Sequence, residues 1–173
     1  IGRPKDAEVL ASAGISLLGV ANNHIGDCGP MGVLDTLSAC RSAGIQTFGA
    51  GTDSVDAARP FFYRAKGKVI ALFAVAELEF NAATRSGAGA HIFNPLEDLE
   101  RIASLKKACD FLIVLYHGGI EHYPLPSPKL RQTCRAIVRF GADLVLCQHS
   151  HTVGAVEKYR GAEILYGQGN GVY

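Results

Sequence analysis

The chain has 173 residues, of which 48% are hydrophobic and 19% charged, enough apolar surface for a substantial buried core. Its formal net charge of +1 gives no global field that would draw it to nucleic acid or to an acidic membrane surface, so any anion recognition is local. The five Cys form an odd set without C-x-x-C spacing, which fits buried free thiols and leans towards a reducing, cytoplasmic compartment.

Short apolar runs rich in branched side chains alternate with longer amphipathic stretches, the pattern of βα units. A helix over about 4–13 leads into a strand over 15–20. A second helix is expected from about Pro30 to Ala43, with Val33, Leu34, Leu37 and Cys40 on one face, followed by a short strand over 45–48. Strands over 61–65 and 69–76 flank Lys66-Gly67-Lys68, a hairpin turn. The polar, Gly-rich stretch 81–90 reads as a mobile surface loop. Asn94 then caps a helix, with Pro95 at its first position, Glu97 three residues after the cap, and Leu96, Leu99, Ile102 and Ala103 as its buried face.

Phe111 to Tyr116 is a continuously apolar strand ending at His117. Ser127-Pro128 opens a helix whose core face is Leu130, Cys134, Ile137 and Val138. Leu144 to Cys147 is a strand ending at Gln148-His149-Ser150-His151, and a hairpin turning at Arg160-Gly161 closes the chain. Three strands thus end in loops bearing His. Strand carboxyl ends are where open α/β sheets assemble their sites, so these loops can converge on one crevice. Imidazole suits divalent transition metals, although a lone His-x-His pair is also an ordinary polar loop.

Asn22-Asn23-His24 with Asp27, His117-Gly118-Gly119, and Gln148-His149-Ser150-His151 occur in the order seen in calcineurin-like metallophosphoesterases. The stretch Ala21-Asn22-Asn23-His24-Ile25-Gly26-Asp27-Cys28-Gly29 resembles the Asn-His signature of the CapA family, associated with bacterial capsule and poly-γ-glutamate biosynthesis. Further agreement lies in Ser42 to Ile45, Gly49 to Gly51, Phe140 to Asp143 and Ile164 to Asn170, so the likeness spans about residues 14–173.

The resemblance implies a layered α/β fold of the calcineurin-like type and a single CapA-like domain over 1–173. It also implies divalent ions (Mn, Zn or Fe), two in the intact family site and one or none in this chain. Asn23, His117 and His149 would serve one metal and His151 the other. His24 would be a general acid near the leaving oxygen. Asp27 either accepts the other ring N–H of His24 or caps the helix that follows. Glu121 and Tyr123 match the family's acidic and aromatic positions; they either line the substrate side or belong to a capped loop with a packed Tyr.

His91 and His122 read as surface or satisfied-core residues. The basic stripe Lys129, Arg131, Arg135 and Arg139 is either an anion-binding face or a solvated one, and Gly49 to Thr52 is an ordinary turn rather than a phosphate cradle.

The family opens with a strand carrying a Gly-Asp pair, and its sites use early carboxylates. Here the first 20 residues offer only Asp6 and Glu8, both in a helix-like stretch, so the domain reads as truncated at its N-terminus. The family suggests a membrane-anchored cell-surface location, with membrane association only through a segment not present here. The function implied is that of a metal-dependent phosphoesterase-like hydrolase acting on a phosphorylated or polyanionic, polyglutamate-like substrate when those carboxylates are present. The rival is a non-catalytic component that holds an anionic polymer during capsule synthesis or export.

Overall fold

The structure is a computed structural model and describes residues 2–170. Its elements are α1 (Pro4–Ser12), β1 (Leu17–Gly19), α2 (Gly29–Ser42), β2 (Gln46–Phe48), β3 (Ala50–Gly51), α3 (Ser54–Ala57), β4 (Phe61–Ala65), β5 (Lys68–Ala76), β6 (Gly89–Ala90), α4 (Pro95–Lys107), β7 (Phe111–His117), α5 (Pro128–Arg139), β8 (Leu144–Gln148), β9 (Val156–Tyr159) and β10 (Ala162–Leu165). Six strands form the central sheet in the order β4-β5-β7-β8-β10-β9. The four inner strands run parallel and the two edge strands antiparallel, each edge joined to its neighbour by a hairpin.

Parallel strands are covered on both faces, which explains their unbroken apolar runs. Phe73 and Val75 of β5 and Val114 of β7 pack on one side against Ile102 of α4 and Leu130, Cys134 and Ile137 of α5. Ala74 and Ala76 face the other way, against Ala21, Phe48 and Ala90. Beyond them, α2 lays Val33 and Leu37 on Val20 and Ala50. The side chains facing that layer from β5 are small because other backbone lies close: a Cβ on Gly49, at φ +91, would sit 2.7 Å from Ala74 Cβ.

Ser127 caps α5, its hydroxyl accepting from Leu130 N at 3.1 Å, and the four expected core residues of that helix are buried. Helix α4 departs from expectation. Asn94 Oδ1 does accept from Leu96 N, but the reciprocal bond from the cap backbone goes to Asp98 Oδ2 at 2.8 Å rather than to Glu97. Helix α4 therefore turns Asp98, Ile102 and Leu105 inward, and leaves Leu96 83% exposed.

The stretch 81–90 is also corrected. Ala83 N and Ala90 N bond to Ala90 O and Asn81 O, Thr84 N bonds to Gly87 O, and β6 pairs with β3, so this loop is a tied structure and not a free one. Among the described residues, no helix is long and apolar enough to cross a membrane.

Candidate metal centre

Sheet register brings distant residues to one level. Ala76 of β5 pairs with His117 of β7, which pairs with Gln148 of β8, so the residues just past these positions leave the sheet side by side. The backbone continues the match, with Gly118 N donating to Gln148 O and His122 N to Ser150 O. The Asn-His loop enters from β1. Its first Asn is structural: Asn22 Nδ2 bonds to Val20 O and Asn22 Oδ1 accepts from His24 N, folding a tight turn that points the next side chain inward.

That next side chain is Asn23, 5% exposed. Its Oδ1 lies 3.0 Å from His117 Nε2, and its Nδ2 donates to Glu79 Oε2 at 2.8 Å. The His117 and His149 rings stand 5.1 Å apart, and His149 Nε2 lies 3.6 Å from Glu79 Oε1 and 3.9 Å from Glu121 Oε1. Asn23, His117 and His149 are thus brought together from three separate strand ends. Burial, with some repulsion from His149, His151 and His24, holds the His117 imidazole well below its ordinary value, at about 4, so it is neutral at physiological pH.

The other expected residues are placed around this core. His24 Nδ1 lies 2.9 Å from Asp27 Oδ2, while the cap position of α2 is Cys28, without a side-chain cap bond; of the two readings of Asp27, the geometry is that of the His partner. The His151 ring is 6.3 Å from that of His149, and its Nδ1 contacts Asn170 Oδ1 at 2.8 Å. Glu121 is half exposed and reaches only His149, and Tyr123 is 53% exposed. His122 is exposed, in line with the surface reading, and its ring stacks on that of His151 at 5.7 Å. His91 is a satisfied core residue, its Nε2 2.9 Å from the buried Asp98.

Glu77, Glu79 and Asn81 are not singled out by the histidine-bearing motifs, yet they complete the site. Glu77 accepts from Gly119 N and from Lys129 Nζ, tying the His117 loop to α5. Asn81 Nδ2 donates to Asn23 O at 2.6 Å and lies 3.4 Å from Asp27 Oδ1. A Cβ on Gly26 would collide with Asn81 Oδ1 at 2.6 Å, which is why glycine stands in that motif. The signal for all three was a strand end bearing polar residues, the same rule that flags the His loops. The basic stripe is largely engaged internally: Lys129 pairs with Glu77, and Arg131 and Arg135 both pair with Glu157.

Backbone conformation marks the same place. Six non-glycine residues among those described have positive φ; Lys66 and Arg160 sit in hairpin turns, and the other four are Asn81, His122, His149 and His151. Such conformations cost on the order of 1 kcal/mol or more each and persist where surroundings fix them, commonly at functional sites.

The donor chemistry suits a divalent transition metal: two imidazoles, a carboxamide oxygen and nearby carboxylate. Neutral His117 can place its proton on Nε2, donating to Asn23 Oδ1, or on Nδ1, leaving the Nε2 lone pair for a cation. Among the described residues, no three His, Cys, Asp or Glu side chains are by themselves gathered tightly enough to hold an ion. The convergent set depends on the Asn23 carboxamide.

Residues 2–173 match the family model described as "Bacterial capsule synthesis protein PGA_cap". The chain is 30% identical over 172 residues to the PGA biosynthesis protein CapA of Bacillus subtilis, covering 98% of this chain and 45% of that protein. It is 29% identical over 177 residues to the capsule biosynthesis protein CapA of Bacillus anthracis, covering 99% of this chain and 43% of that protein. The chain thus spans less than half the length of these relatives. A 5'-nucleotidase precursor from Thermus thermophilus shares the fold with a TM-score of 0.59 at 14% identity, over 95% of this chain and 34% of that one. The layered α/β architecture is therefore of the metallophosphoesterase type, and the chain belongs to the bacterial capsule synthesis protein family PGA_cap.

Proposed function

We propose that this chain carries the metal-binding loops of a divalent-metal-dependent phosphoesterase-like enzyme in capsule or poly-γ-glutamate biosynthesis. The supporting observation is the meeting of Asn23, His117 and His149 from three separate strand ends, with His24 and Asp27 paired beside them. A bound divalent ion would supply charge neutralisation for a phosphoryl group and a more acidic bound water. Asn23, His117 and His149 would hold it, with His151 available to a second ion.

His24 is positioned by Asp27 to give a proton to a leaving oxygen through its free Nε2, the carboxylate fixing the ring in the orientation that such a donor needs. Glu121 and Tyr123, both at the open side, line the approach of substrate. The substrate is read as phosphorylated or polyanionic and polyglutamate-related, the last in keeping with relatives named for PGA and capsule biosynthesis. A purely polymer-holding role is less well supported, because three of the four residues of the basic stripe are paired with Glu77 and Glu157.

The test is hydrolysis of a generic phosphomonoester and phosphodiester by the protein, with its natural flanking sequence, in added Mn²⁺. His149→Ala should abolish turnover. Metal-replete protein inert across a broad phosphoester panel, yet binding polyglutamate in a manner that weakens with salt and survives His149→Ala, would replace the enzymatic reading with the polymer-holding one.

A further inference from the structure

We propose that Glu79 supplies a carboxylate ligand to a divalent cation held with Asn23, His117 and His149. The inference rests on the metal-site reading above and extends it to a residue outside the recognised motifs.

Position comes first. Glu79 lies three residues past Ala76, the end of β5, and β5 is the sheet neighbour of β7, which carries His117. Its two carboxylate oxygens are divided between the other members of the set: Oε2 accepts from Asn23 Nδ2 at 2.8 Å, and Oε1 lies 3.6 Å from His149 Nε2. The second distance is too long for a hydrogen bond, so Oε1 faces the imidazole nitrogen without bonding to it.

Charge comes second. Glu121 Oε1 approaches the same His149 nitrogen at 3.9 Å, so two carboxylates converge on one ring nitrogen. Among the described residues, no Lys or Arg pairs with either Glu79 or Glu121, whereas Glu77, two positions away, is matched by Lys129. A divalent cation placed between these oxygens and the ring nitrogen would neutralise both carboxylates at once. Glu79, His117 and His149 are not gathered tightly enough to hold an ion by themselves, and the Asn23 carboxamide, bonded to Glu79 and beside His117, completes a mixed oxygen and nitrogen donor set of the sort that borderline divalent metals accept.

The competing role for Glu79 is orientation alone, as the acceptor that turns the Asn23 carboxamide. Glu79→Gln separates the two, because glutamine keeps an acceptor oxygen and removes the charge. Mn²⁺ binding, followed by calorimetry and by loss of the free-ion spin-resonance signal, should weaken about tenfold or more in Glu79→Gln. Glu79→Asp, which retains charge, should bind better than Glu79→Gln, and Glu79→Gln, which keeps the acceptor for Asn23, should melt like the wild type without metal. If Glu79→Gln binds Mn²⁺ as wild type does while His149→Ala does not, the carboxylate role is overturned and the metal centre stands. If the wild type takes up no Mn²⁺, the metal-site reading falls and this inference with it.

Discussion

His117 and Asn23 stand 94 positions apart in sequence and 3.0 Å apart in space, Nε2 to Oδ1. Asn23 is buried and uses both ends of its amide, the oxygen towards His117 and the nitrogen towards Glu79. Asn23→Ala should strip both partners at once. Leaving buried polar groups unmatched costs about 1–3 kcal/mol, so urea denaturation of the metal-free protein should show a loss of that size. Mn²⁺ uptake should disappear as well. Asn22→Ala, which removes only the local turn bonds to Val20 and His24, should cost stability while leaving Mn²⁺ binding measurable. Equal effects of the two substitutions on Mn²⁺ would contradict the division of labour.

The histidine loops were legible because apolar strands announce where they end: His117 follows such a run directly, and His149 lies one residue beyond another, past Gln148. Asn22 and Asn23 could be told apart only through the family pattern, since their roles depend on which side chain the turn sends inward. Glu79 escaped because its strand end falls in Glu77-Leu78-Glu79-Phe80, where exposed Leu78 and Phe80 blur the change from strand to loop. Long-range backbone bonds hid the order of 81–90, which a Gly-rich composition alone reads as mobility. Helix α4 was misjudged on one face because a fully buried carboxylate at Asp98 runs against every polarity rule, and only its partners make it tolerable.

Acid should destabilise the metal-free protein in two windows. His117 is held at about 4 in the fold against 6.5 for the free side chain, so as pH falls the unfolded chain takes up that proton first. The penalty is absent above 6.5 and complete below about 4. Glu157 is pulled from 4.5 to about 2, foremost by its bonds to Arg135, with Tyr166 and Arg131 adding to it. Its stabilisation is present above 4.5 and lost as pH falls towards 2. Urea midpoints measured from pH 8 to 2 should decline across both ranges. His117→Asn should flatten the upper range and Glu157→Gln the lower; a decline untouched by either would assign the acid lability elsewhere.

Asp98 anchors the start of α4 from inside the core. It is fully buried, accepts from Asn94 N, and lies 2.9 Å from His91 Nε2, with Arg101 Nε at 3.6 Å. Breaking a buried charged set by removing one member costs about 3–5 kcal/mol, so Asp98→Ala should be among the most destabilising single changes in the chain. The loss should appear in thermal and urea unfolding, with Mn²⁺ affinity of the folded fraction unchanged. A variant that unfolds like the wild type would show that His91 and Arg101 find other partners.

Asp27 offers a change that should separate proton handling from metal holding. Its Oδ2 sits 2.9 Å from His24 Nδ1, and its Oδ1 is 3.4 Å from Asn81 Nδ2, so it fixes the His24 ring without reaching Asn23, His117 or His149. Asp27→Asn keeps the size of the side chain but withdraws the charge beside the ring. A positioned proton donor contributes about 10²–10⁴-fold to a rate, and part of that should be lost from phosphoester turnover. Mn²⁺ affinity should remain, because Asp27 touches none of the residues that would hold the ion. A rate identical to wild type would remove the His24–Asp27 pair from the chemistry and leave it as a feature of the turn.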